Sequence, residues 1–439
     1  MKPLAILLVL AAAIGGCSRP DHSERVLHDP ILFSKTVRQL NNVVLENNFP
    51  PMVAARNYAY ACIAAYECVA AGDSNYRSLS GQIRHMPPMP RPEDPAAVDY
   101  ALAAMLALTK VGNAVTFPEG SLMGYYKQLL QLADSVGMPR KRIKASQAFA
   151  DSISKAILTW SKNDNYAATR GAEKYVMLPD PGRWVPTPPT YASAIEPHWG
   201  KIRPMVLDSA AQFEIPRPPA FDSSNRNSPF FKALLEVKNI VDSLTEEQMH
   251  IAQFWDDNPF AMHVRGHVMF ATKKFSPPGH WLNIVGIAAQ TAGADFNTTV
   301  AAYAHTSIAF FDAFIRGWEE KYRSNYIRPE TAINRYIDEN WRPFIQTPPF
   351  PSYVSGHATN SAAAAEVMTH WFGDSLRFTD TSLVPFGIKP REIVSFRKAA
   401  EEAALSRLYG GIHFRFDNDE GLRVGRKIGE LIVQRLQFK

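Results

Sequence analysis

The sequence predicts an all-α protein built of packed helical bundles, on three observations. Apolar residues recur at i, i+3 and i+4 along most of the chain. Alternating Val/Ile-rich patterns of the strand kind are nearly absent, and the prolines cluster in two stretches between the helical regions. The chain of 439 residues has room for about two or three domains' worth of core. A hydrophobic content of 46% with 20% charged residues excludes a largely disordered chain. Lys plus Arg number 47 against 42 for Asp plus Glu, and a net charge of +5 spread over this length is too weak to argue for nucleic acid. Three cysteines cannot staple a chain this long, so the fold must rest on packing.

Taken in order, residues 1–16 read as a signal peptide: Lys2 supplies a positive start, and Leu4–Ile14 is apolar but too short to span a bilayer. Ile14-Gly15-Gly16-Cys17 resembles a bacterial lipobox, so Cys17 is expected to carry the lipid that anchors an exported protein to a membrane. Residues 17–178 form an N-terminal helical region, with helical periodicity over 31–84, a loop at 85–95 and helix again over 96–175. Cys62 and Cys68, six apart on a helix, lie on different faces and are expected to be buried thiols that do not pair. Residues 179–228 form a Pro-rich strap or linker. Its proline density forbids regular helix or central strand, while Trp184, Tyr191 and Trp199 favour a segment packed on the surface. Helices return over 229–439, most clearly at 244–256, 281–293, 297–326, 356–372, 390–409 and 419–437. The expected architecture is two bundles joined by the strap.

Three groups in the C-terminal third carry polar residues that helical packing does not require. In the first, Lys321 and Arg328 are seven apart, so on one helix they share a face, which Pro329 then ends. Alone, this is an ordinary solvated basic face. In the second, Ser355-Gly356-His357 precedes an Ala-rich helix, placing free backbone N–H groups and the positive end of the helix dipole at the motif. Alone, it is equally a simple N-cap. In the third, Ser406-Arg407 lies in a helix that ends at Gly410-Gly411. His413 enters the next turn, and Asp417 follows one helical turn later, close enough to orient an imidazole or to hold Arg407. Ten specified residues in this order arise by chance in on the order of one in a million chains of this length.

These three segments make the chain resemble the vanadium-dependent haloperoxidases, which share them with the type 2 phosphatidic acid phosphatases and the bacterial class A acid phosphatases. GRWVPTPP, PHWG, SPPGHWLNIV and DAFIRGWEEKYRSNYIRP extend the likeness over roughly 184–435 on the haloperoxidase side. Trp318, three residues before Lys321, and Phe350 in FPSYVSGH look most like the bacterial iodoperoxidase branch. One departure is Val354, where the family usually has Pro.

The resemblance implies a four-helix-type core in the C-terminal half that binds vanadate or phosphate, both tetrahedral oxyanions. Lys321, Arg328 and Arg407 would neutralise the anion, and Ser355 and Gly356 would add directional donors. In the haloperoxidase reading His413 ligates vanadium, Asp417 assists it, His357 takes a proton from hydrogen peroxide and Lys321 polarises the peroxide. Trp318 and Phe350 are halide-site candidates, and iodide is favoured. Vanadate is the implied cofactor, with hydrogen peroxide and halide as substrates. A second reading is an acid phosphatase with His413 as nucleophile, and a third is a non-catalytic anion-binding lipoprotein. His280, in SPPGHW, reads as structural.

Overall fold

A computed structural model describes residues 20–439 apart from 260, 266, 267 and 272. The expected signal peptide and Cys17 therefore lie outside the described residues. The N-terminal half contains α1 (Ser23–Leu27), α2 (Pro30–Glu46), α3 (Pro51–Gly72), α4 (Tyr100–Val115), α5 (Met123–Ser135), α6 (Arg140–Ser161) and α7 (Tyr166–Arg170). Beyond the proline-rich stretch come α8 (Pro229–Asp242) and α9 (Glu246–Phe254), then an antiparallel hairpin of β1 (Met262–Arg265) and β2 (Val268–Ala271). They are followed by α10 (Pro277–Thr291), α11 (Phe296–Ser324), α12 (Pro329–Tyr336) and α13 (Gly356–Phe372). A second hairpin pairs β3 (Phe378–Asp380) with β4 (Arg391–Ile393), before α14 (Phe396–Tyr409) and α15 (Arg415–Arg435). Among the described residues, no helix is long and apolar enough to cross a membrane.

The all-α expectation holds, with differences that have local causes. The periodicity over 31–84 resolves into α2 and α3; helix stops at Gly72, and residues 73–84 form turns closed by Glu67, whose carboxylate accepts from the Ser78 hydroxyl and the Leu79 N–H at 2.7 Å each. The helix expected at 390–409 starts only at Phe396, because 391–393 pair as β4 and Ser395 then caps the helix by accepting from Lys398 N–H. Cys62 and Cys68 are free and buried.

The two helical regions share one hydrophobic core, and the strap does not hold them apart. α3 is buried along nearly its whole length and packs on α11, the longest helix among the described residues. The strap lies across both helical regions as extended chain, turns and one short 3-10 helix (Trp199–Lys201), with Met205 O accepting from Arg84 N–H and Arg203 N–H donating to Asp164 O on the N-terminal side, both at 3.0 Å. Trp184 and Trp199 are fully buried, whereas Tyr191 is 64% exposed. Backbone bonds tie the strap to the segment after α11: Trp184 N–H donates to Asn325 O, and Ile327 N–H to Gly182 O, both at 3.0 Å.

α13 and α15 cross at close range because small residues face each other. A Cβ at Gly421, Gly425 or Gly429, each one turn apart on α15, would come within 3.0 Å of Ala358, the Thr359 carbonyl or the Ala363 carbonyl on α13. This approach brings the N-terminus of α13 beside the loop that enters α15.

Candidate active site

The first cationic pair is placed differently from its expected arrangement. Lys321 sits in the last turn of α11, but that helix ends at Ser324, where Asn325 adopts the left-handed conformation (φ 49°) and its N–H caps the Lys321 carbonyl at 2.8 Å. Arg328 is the N-cap of α12, and Pro329 opens that helix instead of closing the previous one. Lys321 and Arg328 are thus not on one face of one helix; the turn folds them toward the same place. Both side chains are fully buried.

Ser355 caps α13 by accepting from Ala358 N–H, and its own N–H donates to the Asp417 carbonyl at 2.9 Å. With Ala358 N–H taken by Ser355, the N–H groups of Gly356 and His357 are the ones presented at the positive end of the helix. Gly356 fits closely here: a Cβ would stand 3.2 Å from the Trp318 ring, which would have to give by a few tenths of an ångström, and at ordinary contact (3.9 Å) from Lys321 Cε. α14 ends in a Schellman turn, with Gly411 left-handed (φ 76°) and its N–H bonded to Leu408 O, while Ile412 N–H reaches Arg407 O. This turn folds the chain back so that Arg407 and His413 face one small cavity.

That cavity, about 30 Å³, is lined by Gly356, His357, Arg407, Ile412 and His413, with Trp318, Phe314, Phe350 and three prolines (Pro51, Pro277, Pro348) as its apolar wall. Lys321 and Arg328 close it from behind the aromatic wall. The Lys321 ammonium lies 5.1 Å from the centre of the Phe350 ring and 5.7 Å from that of Trp318, and the Arg328 guanidinium 5.1 Å from that of Phe350. Lys321 Nζ donates to the Pro351 and Ser352 carbonyls at 2.9 Å each, which leaves one of its three N–H groups over. Arg328 donates through Nε to Phe350 O (2.8 Å) and through Nη1 to Ile412 O (2.7 Å). Arg407 Nη1 donates to the carbonyls of Trp255 (2.5 Å) and Asp256 (3.2 Å).

His413 has its tautomer set from both sides. Nδ1 donates to Asp417 Oδ2 at 2.8 Å, and Nε2 accepts from Arg328 Nη1 at 3.1 Å. The Nε2 lone pair thus belongs to the cavity. Asp417 Oδ2 also accepts from the Ser352 hydroxyl (2.5 Å) and from Phe414 N–H (3.2 Å). Of the two partners open to Asp417 on spacing, His413 takes it, and Arg407 faces Asp256 instead.

Burial dominates the electrostatics. It pushes Lys321 well below the ordinary lysine range, with Arg328 adding repulsion and Asp417 opposing. It lowers Arg328 to about 9 and Arg407 to about 10. His413 and His357 are held well below the usual imidazole range by burial and by the neighbouring cations, so both are neutral at pH 7. Asp417 is pushed up to about 6 by burial, against the Ser352 hydroxyl, Lys321 and Arg328.

Two buried guanidinium donors at this place have no hydrogen-bond partner, Arg328 Nη2 and Arg407 Nε, and neither do the acceptors His357 Nε2, Asp417 Oδ1 and Asp256 Oδ1. Leaving such groups unpaired costs on the order of 1–3 kcal/mol each, more when charged. A tetrahedral oxyanion answers both guanidinium donors, because it brings negative charge and acceptor oxygens to three cations and a helix N-terminus. The same cations repel a bare metal cation. Among the described residues, no cluster of three or more His, Cys, Asp or Glu is placed to hold one. The residues present therefore fit vanadate as an oxyanion with a single imidazole beside it.

The structure thus brings Gly356, His357, Arg407, His413, Trp318 and Phe350 to the wall of one cavity, with Arg328 and Asp417 bonded to the two nitrogens of His413, Lys321 beside the Phe350 and Trp318 rings, and Ser355 bonded to the Asp417 carbonyl. It adds partners that had no short-range signal. Ser352 reaches Asp417 from the turn before α13. Pro51 arrives from the first residue of α3, the N-terminal region's contribution to the wall. Ile195 in the strap accepts from Trp318 Nε1 (3.2 Å) and from the Tyr322 hydroxyl (2.6 Å), pinning the aromatic wall.

Comparison with known proteins places the chain in a family. The family model of the VCPO second helical-bundle domain matches residues 334–439. The crystal structure of a bacterial vanadium-dependent iodoperoxidase superposes with a TM-score of 0.88 at 41% identity, covering 93% of this chain and 97% of that one. An apo-type bacterial vanadium-dependent chloroperoxidase (TM-score 0.66, 17% identity, 88% and 94% covered) and a holo-type one (0.62, 16%, 95% and 94%) share the fold. Among curated proteins, none matches. With 41% identity running along nearly all of both chains, the chain belongs to the vanadium-dependent haloperoxidases.

Proposed function

We propose that this haloperoxidase oxidises iodide in preference to bromide and chloride, using hydrogen peroxide and bound vanadate. The observation that carries the reading is His413, its proton set on Nδ1 by Asp417 and its Nε2 accepting from Arg328 Nη1, lining one cavity with His357 and Arg407. Arg328 and Arg407 would hold the anion's oxygens with their free N–H groups, and His413 would hold vanadium. Bound vanadate supplies a Lewis-acid centre that activates peroxide without itself changing oxidation state. His357 Nε2, neutral and unpaired, is the base that takes a proton from hydrogen peroxide. Lys321, with one N–H left over, would add positive charge beside the bound anion and polarise the peroxide.

Halide choice follows from the wall. Trp318 and Phe350 meet at 4.9 Å with Phe314 behind them, so the halide must leave much of its water. Desolvation costs least for the largest, most weakly hydrated halide, and iodide is also the most polarisable against aromatic faces. Similarity to a protein described as an iodoperoxidase supports this. We further propose that the chain is exported and lipid-anchored through Cys17, on the Ile14-Gly15-Gly16-Cys17 motif.

The test uses apo protein assayed for oxidation of each halide with hydrogen peroxide, with and without orthovanadate, and for phosphomonoester hydrolysis in parallel. Vanadate-dependent oxidation with iodide fastest is expected. Ester hydrolysis without halide oxidation would overturn the reading in favour of a phosphatase. For the anchor, a Cys17→Ser variant is expected to lose membrane association and acyl labelling; unchanged labelling removes Cys17 as its site.

A further inference from the structure

His280 stands outside the cavity, fully buried in the first turn of α10. Its Nδ1 lies 3.0 Å from both carboxylate oxygens of Asp257, and its Nε2 lies 2.9 Å from Asp380 Oδ2. Both ring nitrogens face carboxylates, so both must donate, which makes the ring an imidazolium. The ring stacks on Trp255, centroids 4.9 Å apart. Against burial, which pulls it down, Asp257 and Asp380 carry its pKa up to about 10.

The segment it grips holds the cage. The carbonyls of Trp255 and Asp256 are the acceptors for Arg407 Nη1, and the Asp256 backbone also bonds His357, whose Nε2 stays free. The next residue, Asp257, is in the left-handed region (φ 40°) without being glycine. Such a conformation persists only where surrounding contacts over-determine it. Lys274 pairs with Asp256, and Asn258 donates to the Gln346 carbonyl, on the same turn; the contact on Asp257 itself is the imidazolium at its carboxylate. Asp380, at the end of β3, anchors the other side of the ring and is itself bonded by Ser382 N–H at 2.9 Å.

We propose that His280 is a positioning residue for the anion cage: clamped between Asp257 and Asp380, it locks the 255–257 turn whose carbonyls aim Arg407 and His357 into the cavity. A neutral side chain cannot donate to two carboxylates with charge. Once released, the turn relaxes its left-handed residue and the two carbonyls leave their places, so Arg407 loses its aim. The proposal rests on the reading of the cage as an oxyanion site.

The experiment measures binding of orthovanadate and of inorganic phosphate to the full apo protein by calorimetry, so no turnover is needed. Wild type must bind; if it binds neither anion, the oxyanion reading itself fails. His280→Gln is expected to bind both at least tenfold more weakly. Adding Asp257→Gly, since glycine takes φ 40° freely, is expected to recover most of that loss. Binding by His280→Gln within threefold of wild type overturns the proposal, as does a double variant no better than the single one. Should His280→Gln fail to fold, Asp380→Asn removes one of the two carboxylate charges while leaving the Asp257 contact. A threefold or larger loss of anion affinity there supports the clamp, and unchanged affinity overturns it.

Discussion

Replacing Asp417 by Ala separates the two jobs of the cage, attracting an anion and ligating its central atom. Asp417 Oδ2 accepts from His413 Nδ1 (2.8 Å), the Ser352 hydroxyl (2.5 Å) and Phe414 N–H (3.2 Å). Without it, the Nδ1 proton loses its carboxylate acceptor and is held only by the Arg328 donor on Nε2 (3.1 Å) and a long approach of the Ser352 hydroxyl (3.5 Å), so the Nε2–H tautomer, which has no lone pair for vanadium, becomes more accessible. Loss of a partner behind a ligating histidine costs about 10–100-fold in affinity. That is about 1.4–2.8 kcal/mol, matching the ~1.5–3 kcal/mol of a hydrogen bond to a charged group. The variant also removes the negative charge that opposes Lys321 and Arg328. An anion held by charge alone gains from that change. Asp417→Ala is therefore expected to bind vanadate about 10–100-fold more weakly while phosphate binds as well as before or better. Equilibrium dialysis with elemental vanadium analysis, beside phosphate calorimetry on the same preparation, reads the ratio. Any partial unfolding lowers both affinities and cancels. Parallel changes in the two, or vanadate affinity within threefold of wild type, would refute the role assigned to the His413–Asp417 pair.

Other consequences are as direct. Asp417 titrates near 6, so its acceptor role fades as pH falls through that value; vanadate affinity should drop on the acid side of about pH 6 in wild type, and Asp417→Ala should lack that limb. His280 has a folded-state pKa raised from 6.5 to about 10, so its contribution to stability is full below about 6.5 and is lost as pH rises toward about 10. The Tm difference between wild type and His280→Gln should therefore shrink across that window, and a gap that widens with pH contradicts the imidazolium. Gly425→Ala puts a Cβ 2.3 Å from the Thr359 carbonyl and 2.8 Å from Ala362 Cβ, forcing α13 and α15 apart. Overpacking of this kind costs about 1–3 kcal/mol or more, so a lowered midpoint in urea is expected; an unchanged one would show that the crossing yields. Phe350→Ala opens the aromatic wall and should narrow the iodide-over-bromide ratio of kcat/KM, with vanadate affinity changed less than that ratio. Should the ratio stay fixed, the wall does not select the halide.

Much of the site was legible because its local parts are short-range. Ser355 before an Ala-rich run caps α13, Gly410-Gly411 closes α14, and the four-residue step from His413 to Asp417 spans one turn. Seven-residue spacing misled at Lys321 and Arg328, since helical spacing holds only while the helix continues. Asn325 in the left-handed conformation breaks it, and a proline reads equally well as a stop or as a first residue.

The cationic residue types, the capped helix that faces them and the helical class follow from neighbours within about four positions, where backbone geometry alone decides who meets whom. Convergence does not. Asp417 had two possible partners on spacing; Arg407 went to the 255–256 carbonyls and Asp256, which no local rule connects to it. Pro51 in the cavity wall and Ile195 on Trp318 reach residues more than 100 positions away, and the clamp joins His280 to Asp257, 23 positions before it, and to Asp380, 100 positions after it. Such contacts depend on how α3, α11, α13 and α15 share one core. That packing is settled by the burial of the whole chain and not by any segment of it.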